Sequence, residues 1–380
     1  MVTTSHTHLN TAHGPISLPA YVPVTTFGTK YPLDDLVRPY LPRLAPAAMV
    51  SFHYARQMIE RPSLPLLIDS GGFASLFQNA TVKSVAGLGV LETSTDDGTE
   101  TLQARDVLEF QEKHADVAFT LDFPIPPSMA LSEGRRRNKL TIANAQWAIE
   151  NRRRKDMLLY ACVQGWDVAS YRACASAYKN LGFDGIAIGG LVPRISNLDG
   201  VLAIVDAVRK AVPDKPLHVF GLGKPDTVEI LFSRGVSSVD SSSYVKLAAE
   251  GRLWGQPTAR LTDATPTERL NLALCNLATA AQRVMPLSTS HLLFGSRVWD
   301  PTRARPEAPP ASRPWSDRQA TQSTPKPTGP RIKDQSRPLA VAVPSRRASL
   351  RNWLGSPGRM FVSRRRHMCL PGSSFWSTPE

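Results

Sequence analysis

Six short apolar runs in this chain end in residues that can do chemistry. Pro65–Asp69 ends in Asp69 and is followed by Ser70, Gly71, Gly72 and Phe73; Val117–Asp122 ends in Asp122. Met157–Gln164 ends in Gln164, and Gly185–Gly189 runs into Gly190 and Leu191. Leu217–Phe220 runs into Gly221, Leu222 and Gly223, and Val236–Asp240 ends in Asp240. Carboxylates act as proton donors, proton acceptors or nucleophiles. A glutamine amide reads the polar edge of a ligand, and glycines let a flat ligand approach the backbone. Taken singly, each feature has a plainer reading. An Asp after a strand often caps the next helix, and paired glycines often only turn the chain. Three acids and an amide closing apolar runs are harder to dismiss, because they would share one rim if the runs were parallel strands.

That condition decides which elements must exist. Tyr21–Thr25 and Ala47–Phe52 bring the candidate strands to eight, several of them apolar throughout, as in a sheet covered on both faces. Helical patterns fall at Asp34–Leu44, Thr101–His114, Gly134–Arg154, Asp167–Leu181, Leu198–Val212 and Asp226–Arg234. Repeated strand-then-helix units predict an α/β fold, a (β/α)8 TIM barrel, with an open doubly wound sheet as the competitor. Function in such a barrel sits where strands end. Ala74–Glu100 interrupts the repeat and reads as a β-hairpin insertion after the third strand, turning at Asp97-Gly98. A further helix, Pro266–Met285, is expected on the barrel's outside. The division expected is an N-terminal arm over 1–15, the barrel over 16–300 and a tail over 301–380.

The chain has 380 residues and a formal charge of +13, which favours a polyanionic partner. Residues 301–380 hold 15 Lys/Arg against 4 Asp/Glu and 13 of the 32 prolines, so the basic character belongs to a Pro/Arg-rich segment expected to be disordered. Its affinity for nucleic acid is one reading; a solvated appendage is the plainer one. Cys162, Cys174, Cys275 and Cys369 include no C-x-x-C pair, which argues against a zinc knuckle and a disulfide framework and fits a reducing cytoplasm. The polar start MVTTSHTHLN is not expected to act as a secretion signal, and no run of the sequence is expected to cross a membrane.

Five segments carry a resemblance: IDSGGF (Ile68–Phe73), CVQG (Cys162–Gly165), GFDGIAIGGL (Gly182–Leu191), FGLGKPDTVE (Phe220–Glu229) and SVDSSS (Ser238–Ser243). In order and spacing the chain resembles the tRNA-guanine transglycosylase superfamily (queuine/archaeosine type) from about His13 to about Arg297. The resemblance implies a (β/α)8 barrel and a pentosyltransferase that exchanges guanine in a nucleic acid. It implies that Asp240 is the nucleophile forming a covalent glycosyl-enzyme, and Asp69 the general acid/base. It places Asp122, Gln164 and the Gly190 backbone, with Ser70, Gly72, Gly189, Leu191 and Gly221, around the base. Phe73 and Phe220 would sandwich it.

Two departures follow. The family's zinc site of three cysteines and a histidine has only His291 as a counterpart, so no metal is expected and His291 reads better as an ordinary histidine. The arginine-rich run that follows the nucleophile in tRNA-specific members is here Ser241–Trp254, leaving Lys246. Together they favour DNA over tRNA as the polymer, with a free 7-deazaguanine base as co-substrate, as in the superfamily's DNA-acting branch. A homodimer or partner subunits are compatible with this. The alternative is a non-catalytic nucleic-acid-binding subunit of a base-modification complex; a barrel hydrolase using the same acids ranks third. Arg135-Arg136-Arg137 and Arg152-Arg153-Arg154-Lys155 are read as solvated helix faces in preference to phosphate contacts.

Overall fold

A computed structural model of the chain describes residues 6–26, 31–96 and 98–282. His291, Asp97, residues 283–285 and the segment 301–380 lie outside the described residues.

The eight runs are strands of one sheet: β1 (Ala20–Pro23), β2 (Ala48–Ser51), β3 (Leu66–Asp69), β4 (Val117–Phe119), β5 (Leu158–Val163), β6 (Gly185–Ile188), β7 (Leu217–Val219) and β8 (Ser238–Ser241). Neighbours pair in parallel in the order β1-β8-β7-β6-β5-β4-β3-β2. A parallel bridge between Val24 and Met49 brings the ends together, and the Thr25 amide donates to the Met49 carbonyl at 2.8 Å. The sheet is therefore a (β/α)8 barrel, not an open doubly wound sheet.

Side chains alternate along each strand, so each strand feeds two cores. Leu66, Ile68, Leu159, Ala161, Leu217 and Val219 face outward into the layer shared with the helices. Val22, Met49, Leu67, Phe119, Tyr160, Cys162 and Ala187 face inward and fill the barrel. The same alternation sends Asp69, His218, Ser238 and Asp240 inward, in line with Leu67 and its neighbours. The arm closes the other end: His8–Leu9 pairs with Ile16–Ser17, and buried Ile16 packs against the inner cluster.

Several expected bounds shift for local reasons. Asp34–Leu44 is not one helix but Pro32–Val37, a 3-10 turn at Arg38–Tyr40 and Leu41–Leu44, as Pro39 and Pro42 interrupt the hydrogen-bond ladder. The strand predicted to reach Asp122 stops at Phe119, and Asp122 stands in an extended loop before Pro124 and Pro126. Asp167 caps the helix Val168–Ala177 through a capping box with Ser170.

The insertion is larger than one hairpin. It is a three-stranded antiparallel sheet of Ala80–Val85, Leu88–Thr95 and Gly98–Gln103. Gly98, expected in the turn, instead pairs with Thr95 as the first residue of the last strand. The residues 101–103, predicted as helix, are its last strand; the helix spans Ala104–His114. Buried Asn144 straps the sheet to the helix Leu131–Asn151, bonding both polar groups of Gly89 and the Leu121 carbonyl. This anchors the insertion beside the Asp122 loop. The helix Pro266–Gln282 lies over β1 and the helix Pro32–Val37, burying Leu272, Leu277 and Ala280.

Candidate active site

Three carboxylates meet at the C-terminal mouth. Asp240 is buried near the top of β8, and its Oδ1 accepts from the Gly221 amide at 3.1 Å and faces His218 Nε2 at 3.1 Å. Asp122 is buried, with Oδ1 accepting from Ser70 Oγ at 3.0 Å and Oδ2 from Gln164 Nε2 at 2.6 Å. Asp69, half-buried at the end of β3, lies within electrostatic reach of both. Burial first, then the charges of Asp122 and Asp240, push its carboxyl up to about 7, against the backbone N–H groups of Gly71 and Ser70. Burial also raises Asp122, opposed by its bonds to Gln164 and Ser70. Like charges in a shrouded site cannot all ionise at little cost. The arrangement thus holds one proton ready on Asp69 near neutrality.

Gln164 is buried, and among the described residues its Oε1 has no hydrogen-bond partner. A buried orphan acceptor costs about 1–3 kcal/mol. Set beside the Asp122 carboxylate, it makes a paired acceptor edge for a ligand bearing adjacent N–H groups.

Two of the glycines have a packing task. A Cβ on Gly72 would lie 1.8 Å from the Asp122 carbonyl oxygen, and one on Gly189 2.1 Å from Gln164 Nε2. They make room for the Asp122 backbone and the Gln164 amide. Gly190 and Gly221 have φ of +72° and +77°, a region other residues adopt only with strain. Gly72→Ala is expected to lower stability by about 2 kcal/mol or more, since backbone must move. A urea midpoint equal to that of the wild type would contradict this packing.

Other expected site residues divide. Ser70 is fully buried and serves Asp122. Leu191 is fully buried in the outer core, so its side chain belongs to packing and not to a ligand surface. Phe220 is partly buried with its ring 4.9 Å from Phe119. Phe73 is 47% exposed on the rim, edge-on to Phe77 at 6.0 Å.

His218 and Ser238 were missed in the sequence. LHVF reads as a uniformly apolar strand, and histidine within it looks like core. The readable signal was alternation: His218 shares parity with Phe220, as Ser238 does with Asp240.

The arginine runs are neither plain solvated faces nor phosphate clamps. Arg137 is buried and binds Ser75, the Pro124 carbonyl and Glu133, while Arg136 binds Glu133 and the Val82 carbonyl. Arg152 binds a backbone carbonyl just before β5 and Arg154 binds those of Glu112 and Ala115 just before β4, away from the mouth, and Arg152 pairs with Asp184 at 2.6 Å. Arg135 and Arg153 are exposed. Lys246 is half-buried, and burial lowers its ammonium to about 8 against the pull of Glu250.

Among the described residues, no group of three or more His, Cys, Asp or Glu is placed to hold a metal ion. Where the resemblance would put a zinc hairpin, Arg252–Leu253 pairs with Gln256–Arg260 and carries no cysteine. Cys162 and Cys174 are buried in the barrel and its helical layer, and Cys275 in the helix Pro266–Gln282. These donors do not fit that zinc site. Among the described residues no helix is long and apolar enough to cross a membrane.

The fold and its mouth thus define a (β/α)8 barrel with a carboxylate-lined site at the strand ends. A family profile described as queuine tRNA-ribosyltransferase matches residues 5–276. The chain belongs to that family, whose name denotes a class of glycosyltransferase. It is 32% identical to the tRNA-guanine(15) transglycosylase of Methanococcus aeolicus over 45% of this chain and 28% of that protein. To that of Pyrococcus abyssi it is 30% identical over 44% of this chain and 29% of that protein. To the queuine tRNA-ribosyltransferase of Saccharophagus degradans it is 27% identical over 65% of this chain and 70% of that protein. The chain therefore spans under a third of the archaeal relatives.

Proposed function

We propose that this protein exchanges guanine for a 7-deazaguanine base in a nucleic acid through a glycosyl-Asp240 intermediate. The observation that carries the reading is the gathering of Asp69, Asp122 and Asp240 at one mouth, in a chain of this family.

In the first half-reaction an Asp240 oxygen bonds C1′ of the sugar as the C1′–N9 bond breaks. The electron pair leaves with guanine, and Asp69 supplies the proton that makes guanine a competent leaving group. The site's charge is conserved: Asp240 loses its negative charge as an ester while Asp69 acquires one by losing its proton. In the second half Asp69 takes the N9 proton of the incoming base, N9 attacks C1′, and Asp240 departs as a carboxylate. The result is retention, as in glycosidases with a covalent intermediate. Guanine and its 7-deaza analogues share adjacent ring N–H and amino donors, which the Asp122 carboxylate and the Gln164 carbonyl match. Phe220 and Phe73 supply apolar surfaces for the rings, and a structured polymer must first extrude its base.

DNA is placed ahead of tRNA. The helix Ser243–Ala249 that follows Asp240 carries no arginine, and its one lysine, Lys246, is half-buried. The retained carboxylates weigh against a subunit that only binds nucleic acid.

The test is incubation with labelled guanine and either DNA or tRNA, followed by nucleoside mass spectrometry of each polymer after 7-deazaguanine is supplied. Label in DNA supports the whole reading, and label in tRNA alone overturns the order of polymers. No label in either, with a denaturation-resistant adduct also missing, overturns exchange itself.

A further inference from the structure

Beneath Asp240 lies a polar pair that the exchange chemistry above does not use. β7 and β8 run parallel in a register that sets His218 beside Ser238. Both side chains point into the barrel, with Asp240 one inward step higher on the same strand. His218 is fully buried, its Nδ1 2.8 Å from Ser238 Oγ and its Nε2 3.1 Å from Asp240 Oδ1. Its ring is walled by Phe119 at 5.1 Å and Phe220 at 4.9 Å. An imidazole with hydrogen-bond partners at both nitrogens and aromatic rings against it has one orientation.

The acceptor chemistry of Asp240 fixes the hydrogens. A carboxylate only accepts, so Nε2 must carry a hydrogen toward it. In the neutral ring Nδ1 then accepts, and the Ser238 hydroxyl must donate. Asp240 thereby selects the tautomer, and Ser238, whose hydroxyl can donate or accept, satisfies Nδ1 and holds the ring in place.

We propose that His218, held by Ser238, is a positioning residue that ties Asp240 Oδ1 and so commits Oδ2 to the sugar. The assignment rests on the exchange reading and adds to it a division of labour between the two carboxylate oxygens. The Gly221 amide donates to the same Oδ1 at 3.1 Å, so two N–H groups share one oxygen. In the glycosyl ester Oδ2 carries C1′ and Oδ1 is the carbonyl oxygen. When the incoming base attacks, the Oδ2–C1′ electron pair returns to the carboxylate. The charge that grows on Oδ1 meets both donors already in place, the same device as an oxyanion hole. The donors stabilise the carboxylate at the start of the first half-reaction and at the end of the second. Their loss therefore slows departure of Asp240 more than its attack, and the intermediate accumulates.

Three variants separate this role from packing. His218→Phe keeps an aromatic ring and removes the donor. His218→Gln puts an amide N–H near the place of Nε2. Ser238→Ala leaves the ring and removes the partner of Nδ1. His218→Phe is expected to lower exchange by about 10²-fold, the usual cost of one such donor, with a larger share of enzyme trapped as adduct. His218→Gln is expected to recover most of that loss, and Ser238→Ala to sit between Gln and Phe. A wild-type adduct fraction in His218→Phe, or a His218→Gln variant as slow as Phe, overturns the proposal while leaving exchange intact.

A second measurement does not depend on turnover. Ring-nitrogen NMR of the intact protein, with His218 assigned by the signal missing from His218→Gln, is expected to show the Nε2–H tautomer. Ser238→Ala is expected to shift that signal. An Nδ1–H tautomer in the wild type overturns the assignment even in a preparation that exchanges no base. Failure of the wild type to exchange or form adduct is instead a failure of the proposed function.

Discussion

Asp240→Ala is expected to reduce base exchange by at least about 10⁴-fold, and Asp240→Asn nearly as much, the scale at which loss of a covalent nucleophile is felt. Alanine removes the attacking atom. Asparagine keeps the shape and the acceptor that faces Gly221 and His218, so the barrel should stay folded, but its neutral amide is a far weaker nucleophile. The Asn variant is thus the cleaner reagent. Its far-ultraviolet spectrum and unfolding midpoint should match the wild type while the polymer-linked adduct disappears from denaturing gels. Exchange at the wild-type rate by Asp240→Asn would remove the covalent mechanism and return attention to Asp69 and Asp122.

The second large effect belongs to Asp69. Asp69→Asn is expected to lower exchange by about 10²–10⁴-fold, the range of a positioned general acid. The pH dependence carries the diagnosis. With its carboxyl pushed up to about 7, Asp69 holds the proton needed for guanine to leave below that pH and has lost it above. The rate of adduct formation is therefore expected to fall about tenfold per unit as pH rises past about 7. Once Asp240 is esterified, one of the charges that raised Asp69 is gone. Its carboxylate form is then favoured, as the second half-reaction requires.

Stability must follow the same carboxyl. Its value in the fold lies above its ordinary 3.8, so the folded chain keeps a proton the unfolded chain releases between the two values. The stabilisation from that proton is complete below about pH 4 and lost as pH rises through about 7. Asp69→Asn removes the dependence. Above pH 7 the variant is expected to exceed the wild type by on the order of 2–4 kcal/mol, and below pH 4 to match it. Urea midpoints at pH 4, 6 and 8 read this directly. A constant difference across the three would mean that the site does not raise Asp69.

Those two acids were legible before any coordinates because each closes a short apolar run, and strand identity is written locally. Period-two alternation, Gly and Pro punctuation and run length need only neighbours along the chain. They placed β3 with Asp69 and β8 with Asp240, and they predicted eight parallel strands. Local reading failed where competing local signals met. The residues 101–103 have helical spacing with the segment after them but complete a sheet with Leu88–Thr95. Asp122 follows an apolar run that stops pairing at Phe119.

What the chain determined by itself is the list of strands and the face on which each side chain falls, since alternation is a property of single strands. Only the tertiary structure decided who stands beside whom. Ser70 meets Asp122, Gln164 meets Asp122, and His218 meets both Ser238 and Asp240, each across a sequence separation of 20 to 52 residues. Such meetings depend on register between strands. In a barrel, register is set collectively, by closure and by the packing of two cores at once. No segment read alone contains that information.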